Sequence, residues 1–212
     1  MQKRKKLFYL VLLCTFFSTL FAYENTYYLH KKSQFKVLAK NKNAKIMMLG
    51  DSITDRGLWN ELMQRCDVVN RGISGDTTEG VLHRLDTLNP QIKTAYIMIG
   101  INDILRGKSV NKIFTNYVKI IHILKSKKII PIIESTLYVA KGTPTLYNKK
   151  VKKLNTLLKE YSVKNKLLYI DINAKLAPNG YLDKKYTLDG LHLNGRAYLV
   201  WVELIKSSYP SN

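Results

Sequence analysis

The chain has 212 residues, 46% of them hydrophobic, enough for one full core, and no compositional break marks a second domain. Its formal charge of +20 raises nucleic acid as a partner, yet the excess is lysine spread along the chain. Outside the N-terminal leader only Arg56, Arg65, Arg71, Arg84, Arg106 and Arg196 could supply the guanidinium forks on which phosphate readers lean, so no nucleic-acid partner is expected.

Residues 1–22 differ in kind from the rest. "MQKRKK" is cationic, "LFYLVLLCTFFSTLFA" is an apolar run of about 16 residues, short for a membrane span, and Ala22 is a small residue where a signal peptidase could cut. We read a secretory signal peptide and hence a periplasmic or secreted protein, with an uncleaved inner-membrane anchor as the alternative. Loss of Lys3, Arg4, Lys5 and Lys6 with the leader takes the formal charge from +20 to +16. Cys66 is then the one cysteine left, so no intrachain disulfide can form. Residues 23–44 are expected to form a helix packed outside the domain, which itself runs over 45–212.

Five short apolar runs follow: "KIMMLG" (45–50), "DVVN" (67–70), "AYIMIG" (95–100), "IIPIIES" (129–135) and "LLYIDI" (167–172). Each reads as a buried strand. Between them "LWNELMQR", "TEGVLHRLDTL", "VNKIFTNYVKIIHILKSK" and "PTLYNKKVKKLNTLLKEYSVKNK" carry helical spacing, and "NGRAYLVWVELIKSS" closes the pattern. Strand and helix in alternation predict a parallel sheet with right-handed crossovers, an α/β fold built as a three-layer α/β/α sandwich. In the densest basic cluster, "NKKVKKL", Val151 and Leu154 share a helix face with Leu158 and Tyr161, which turns the lysines outward. They read as a solvated surface, with peripheral contact to a membrane or an anionic envelope polymer as the alternative.

In an open parallel sheet, reactive groups gather beyond the carboxyl ends of the strands. Ser52 of "GDSIT" follows the first run, Gly72 of "NRGISGDTT" the second and Asn102 of "GINDI" the third, while "LDGLHLNG" sets Asp189 three residues before His192. A hydroxyl becomes a nucleophile when a base takes its proton, and the base needs a carboxylate to orient it. Ser52, His192 and Asp189 are those three parts. Each also has a plainer reading. Ser52 or Asp51 could cap a helix, Gly72 and Gly75 could permit a tight turn, Asn102 could bond its own backbone, and Asp189-Gly190 could be turn chemistry. Their arrival together, three at strand ends, points to an active site. His30, His83 and His122 adjoin no strand end, and no metal-ligand spacing links the histidines to the cysteine, so a metal is not expected.

The four blocks together resemble the SGNH (GDSL-type) hydrolases, whose serine, glycine, asparagine and histidine match Ser52, Gly72, Asn102 and His192. "GISGDTTEGVLHRLD" is most similar to the branch of platelet-activating-factor acetylhydrolase-like and lysophospholipase-like bacterial esterases. The resemblance implies a five-stranded flavodoxin-like sheet, a serine-esterase mechanism through an acyl-enzyme, and no cofactor. It also implies an oxyanion hole made by the backbone N–H groups of Ser52 and Gly72 with the Asn102 amide. The substrate does not carry over with the family. A small O-acyl ester, acetyl above all, on an acylated glycan is the expectation. The alternatives are a lysophospholipase or thioesterase working on longer chains and, of another class, an inactive module that binds an anionic polymer. The loop "STLYVAKGTPTLY" (135–147) bears on the choice, since Leu137, Tyr138, Val139 and Leu146 could line an acyl slot, while its Tyr138, Tyr147 and Lys141 could equally stack on and bond a sugar ring.

Overall fold

A computed structural model of the chain describes residues 25–208, and the leader expected over 1–22 lies outside them. The described chain runs α1 (Thr26–Leu38), β1 (Ile46–Gly50), α2 (Ser52–Asp55), α3 (Trp59–Met63), β2 (Val68–Gly72), α4 (Thr78–Leu82) and β3 (Thr94–Met98). It continues through α5 (Ile101–Leu105), α6 (Val110–Ser126), β4 (Ile130–Glu134), α7 (Thr145–Lys164), β5 (Tyr169–Ile170), α8 (Asn173–Leu176) and α9 (Gly195–Ser207). The five strands pair in parallel in the order β2-β1-β3-β4-β5, which is the flavodoxin-like arrangement. Strand order reverses between β1 and β3, the switch point beyond whose carboxyl ends an open parallel sheet offers a crevice. Both strands are covered on their two faces, which is why they read as continuous apolar runs.

Helix α6 buries Val110, Ile113, Tyr117, Ile120, Ile121 and Leu124, an i, i+3, i+4, i+7 stripe, and packs with α4 and α7 on one face of the sheet. On the other face α9 buries Ala197, Tyr198, Trp201, Val202 and Ile205 against α3. Ser109 and Asn194 begin these two helices as side-chain caps for the amides of Lys112 and Ala197. Helix α1 buries Tyr28 and Phe35 against Ile73, and its Tyr27 and Lys31 bond Asp55 at 2.6 and 2.7 Å. Among the described residues no helix is long and apolar enough to cross a membrane.

Glu134 ends β4 wholly buried beneath α9. Its Oε1 accepts the Trp201 indole N–H at 2.6 Å, while Oε2 finds no partner among the described residues. Burial pushes this carboxyl up to about 8, against the opposing pull of the Trp201 hydrogen bond. An unfolded chain ionises the group near its ordinary 4.5, so its contribution to stability is whole below that pH and is lost as pH rises toward 8. The slope approaches about 1.4 kcal/mol per pH unit in that window. Asp51 and Asp103, raised by burial to about 7 and about 6, act in the same direction, so the test is a difference. Glu134→Gln should melt above the wild type at pH 8, and the gap should close by pH 5. Thermal melts at pH 5, 6, 7 and 8 check it, and a gap independent of pH would remove Glu134 as the cause.

Candidate active site

Chain reversal at the end of β1 leaves no room for side chains. A Cβ on Gly50 would lie 2.3 Å from the Met98 carbonyl oxygen, so the strand ends in glycine and the turn into α2 begins at once. Asp51 caps that helix, its Oδ1 accepting the Ile53 N–H at 3.0 Å. The capping role open to either residue therefore falls to Asp51, and the Ser52 hydroxyl is left for other work. The carbonyls just beyond it are held by large side chains: Tyr198 Oη donates to Ile53 O at 2.7 Å, and Trp59 Nε1 donates to Thr54 O at 2.8 Å. Trp59 stands edge-on to Trp201, ring centroids 4.8 Å apart, so the serine turn rests on the aromatic layer of α9.

Ser52, 7% exposed, points its Oγ at His192 Nε2, 2.9 Å away. The other ring nitrogen, Nδ1, lies 2.6 Å from Asp189 Oδ2. Asp189 Oδ1 in turn accepts the amides of Leu191 and His192 at 3.0 and 2.8 Å. Desolvation works against ionisation of Asp189, but the His192 amide and ring and the Leu191 amide outweigh it and hold the carboxyl well below the usual range. It therefore stays an anion facing the ring. The loop that carries both residues docks on the segment after β4: Gly190, with φ +82°, offers its carbonyl to Ala140 N at 2.8 Å.

Asn102 sits in the first turn of α5, and its Nδ2 donates one hydrogen to the Asp76 carbonyl at 2.9 Å, which fixes the amide plane and leaves the second hydrogen free. Asp103 beside it takes Thr78 N and Oγ1 at 2.9 and 2.8 Å, tying α5 to α4.

Gly72 departs from expectation. Its N–H donates to Asn70 Oδ1 at 2.8 Å, so the amide is already spent and cannot serve an oxyanion. Its reason for being glycine is close approach, since a Cβ there would lie 2.1 Å from Asp55 N. The same Asn70 gives Nδ2 to the carbonyls of Thr54, Asp55 and Gly57, lacing β2 to the serine turn. Three residues on, Gly75 has φ +78°, and its N–H meets no acceptor among the described residues. The loop around it is pinned by Arg84, whose buried guanidinium reaches Asp76 Oδ2 at 2.7 Å, Arg71 O at 2.8 Å and Gly50 O at 3.0 Å.

The loop after β4 also folds otherwise than the acyl-slot expectation. Leu137 and Val139 are buried in the core and line no slot, Leu146 is exposed at the start of α7, and only Tyr138 reaches a surface cavity. Gly72→Ala should lower the melting temperature by several degrees or prevent folding, because backbone, not a flexible side chain, occupies the place of the new methyl. Gly75→Ala, with its nearest outside atom at 3.5 Å, should cost roughly 1 kcal/mol for its positive φ. Parallel melts of the two variants check the order.

The GDSL-like lipase/acylhydrolase family model matches residues 48–200. N-acylneuraminate cytidylyltransferases of Streptococcus agalactiae are 31% identical over 170 residues, a stretch that is 80% of this chain and 38% of theirs, so the chain spans well under half the length of these curated relatives. A Streptococcus pneumonia structure named for platelet activating factor shares 26% identity at a TM-score of 0.77, covering 85% of this chain and 92% of its own. A GDSL-like lipase from Bacteroides thetaiotaomicron, at 22% identity and TM-score 0.69, covers 84% and 97%. An acetylxylan esterase from Geobacillus stearothermophilus, at 17% and 0.68, covers 80% and 95%. These last two share the fold. With most of its length matched to the family model, the chain belongs to the GDSL-like lipase/acylhydrolase family.

Proposed function

We propose that the protein is a serine esterase that removes small O-acyl groups, acetyl above all, from a glycan outside the cytoplasm, with Ser52 as nucleophile, His192 as base and Asp189 as the acid that orients it. The observation that carries the reading is the relay from Ser52 Oγ to His192 Nε2 at 2.9 Å and from Nδ1 to Asp189 Oδ2 at 2.6 Å, placed at the switch point of a parallel sheet.

In this reading Ser52 attacks the ester carbonyl as His192 takes the hydroxyl proton. The tetrahedral oxyanion is met by the N–H groups of Ser52 and Gly75 and by the free amide hydrogen of Asn102. Gly75 replaces Gly72 in this role because its amide is unspent. Burial, helped by Asp76 and Asp103, pushes Asp51 up to about 7, which keeps a second negative charge from standing beside that oxyanion at lower pH. His192 then protonates the departing alcohol, and a water deprotonated by the same ring releases the acid from the acyl-enzyme.

Support for a short acyl group comes from the loop after β4, whose Leu137 and Val139 are turned into the core. A longer-chain lysophospholipase or thioesterase reading has one observation in its favour: Leu188, next to Asp189, is 94% exposed and could meet a lipid.

Ser52→Ala should lose fluorophosphonate labelling and about six orders of magnitude in kcat, and the Ser52→Ala/His192→Ala double variant should be scarcely worse, as expected of groups that act as one unit. Retention of more than about a tenth of wild-type activity would contradict the relay, since loss of a triad nucleophile costs far more than that. An inactive binding module would leave Ser52 unlabelled in the wild type. The acyl group is tested with p-nitrophenyl acetate, butyrate, octanoate and palmitate below their micellar limits. kcat/KM should fall as the chain lengthens. A rise from acetate to octanoate, at roughly 0.8 kcal/mol for each buried methylene, would promote the longer-chain reading.

A further inference from the structure

We infer that Arg56 and Arg106 form a two-pronged anion receptor at the mouth of the site, so that the ester cleaved is one whose alcohol half carries a carboxylate or phosphate. The inference rests on the esterase reading above and names the substrate class it lacks.

The placement of the two arginines is matched. Ser52 and Asn102 stand in the first turns of α2 and α5, at the carboxyl ends of the adjacent strands β1 and β3. Arg56 and Arg106 close those same short helices, their amides bonding Ser52 O at 3.1 Å and Asn102 O at 3.0 Å. Each guanidinium therefore springs from one turn beyond a site residue, about 5–6 Å along the axis. Each then reaches across to another site loop. Arg106 Nη2 donates to Gly75 O at 2.8 Å, and Arg56 Nη1 stands 4.0 Å from Asp189 Oδ2, beyond hydrogen-bond length.

Neither guanidinium is hydrogen-bonded to a carboxylate: Arg56 meets Asp189 only at the limit of an ion pair, and Arg106 feels the charges of Asp76 and Asp103 without bonding either. Asp189 already gives one oxygen to the His192 ring and the other to two amides. No carboxylate lies within ion-pair distance of Arg106 among the described residues. Arg84 shows what a structural arginine does here, with Nε and both Nη atoms spent and 2% of the residue exposed. Arg56, with its side chain 51% exposed, keeps its donors, and Arg106 keeps all but one nitrogen's. A guanidinium fork with free donors matches the two oxygens of a carboxylate or phosphate. Arg56 lies on the His192 side, where the alcohol leaves, so the anion belongs to that half of the ester. Arg106 springs from the neighbouring strand's helix on the Gly75 side and offers the second fork from there. The lysine-rich surface adds long-range attraction for such a substrate.

Binding to Ser52→Ala, which needs no turnover, is the test. Calorimetry compares three ligands acetylated at the same hydroxyl: a hexose, the corresponding hexuronic acid and the hexose phosphate. The better anionic ligand should bind at least 10-fold tighter than the hexose, and which one wins separates carboxylate from phosphate. Arg56→Gln and Arg106→Gln in the same background should each cut that preference several-fold, their combination should abolish it, and Arg56→Lys should restore only part. Equal affinity for all three ligands, or a preference that survives both replacements, would overturn the inference. Failure of the esterase reading is seen separately, as absence of fluorophosphonate labelling in the wild type. The binding preference stands or falls without it.

Discussion

The site depends on one buried cation. Arg84 leaves water almost entirely to bond the carbonyl that ends β1, the carbonyl of Arg71 in β2 and the carboxylate of Asp76 in the loop beyond. Removing one partner of a buried pair leaves an uncompensated charge at a cost of roughly 3–5 kcal/mol, so strand ends and loop hold one geometry or none. The ring of Phe35 covers Arg84 and Arg71, with guanidinium carbons 5.8 and 4.7 Å from its centroid. Helix α1, which precedes the sheet and contributes nothing to the relay, thus roofs the groups that shape the crevice. Its Tyr27 and Lys31 bind Asp55, which also takes the Ser74 amide and hydroxyl.

A single device recurs around the crevice. Beside each residue that faces it stands an aspartate that faces away and anchors the turn: Asp51 next to Ser52, Asp76 next to Gly75 and Asp103 next to Asn102. All three are nearly or wholly buried. Their oxygens hold amides, a threonine hydroxyl and Arg84, so each turn is fixed by hydrogen bonds instead of bulk, which leaves the reacting side open. Asp189 differs, being half exposed, and it anchors the histidine itself.

Much of this was legible because the physical causes are local. β1 and β3 are buried on both faces and so announce themselves as apolar runs, and α6 and α9 carry an unbroken apolar stripe. β5 shrinks to Tyr169–Ile170 although six apolar-rich residues pointed to it, since only Ile133 and Glu134 of β4 pair with it. α5 was not foreseen because five residues hold too little periodicity to register. In "NRGISGDTT" two glycines are equally plausible donors, and what separates them is the side chain of Asn70, which folds back to take the Gly72 amide. No spacing rule reports that choice. Leu137 and Val139 read as a slot because the loop was expected to face outward, whereas Asn148 and Asn173 bond its amides and draw it inward. The repeated aspartate was the one signal in the sequence that could have revealed the anchoring layer.

The relay joins Ser52 to a histidine 140 residues later, while Asp189 and His192 sit on one loop. Carboxylate and ring therefore travel together, and the hydroxyl lies at the far end of the chain. Synthesis runs from the N-terminus, so the serine turn leaves the ribosome long before its partner has been made. Until the loop ahead of α9 arrives and the Trp201 layer closes under the serine turn, the chain holds an unactivated alcohol. On the proposed roles, the hydroxyl and the groups that would activate it meet only when the last loop and helix of the described chain have been made.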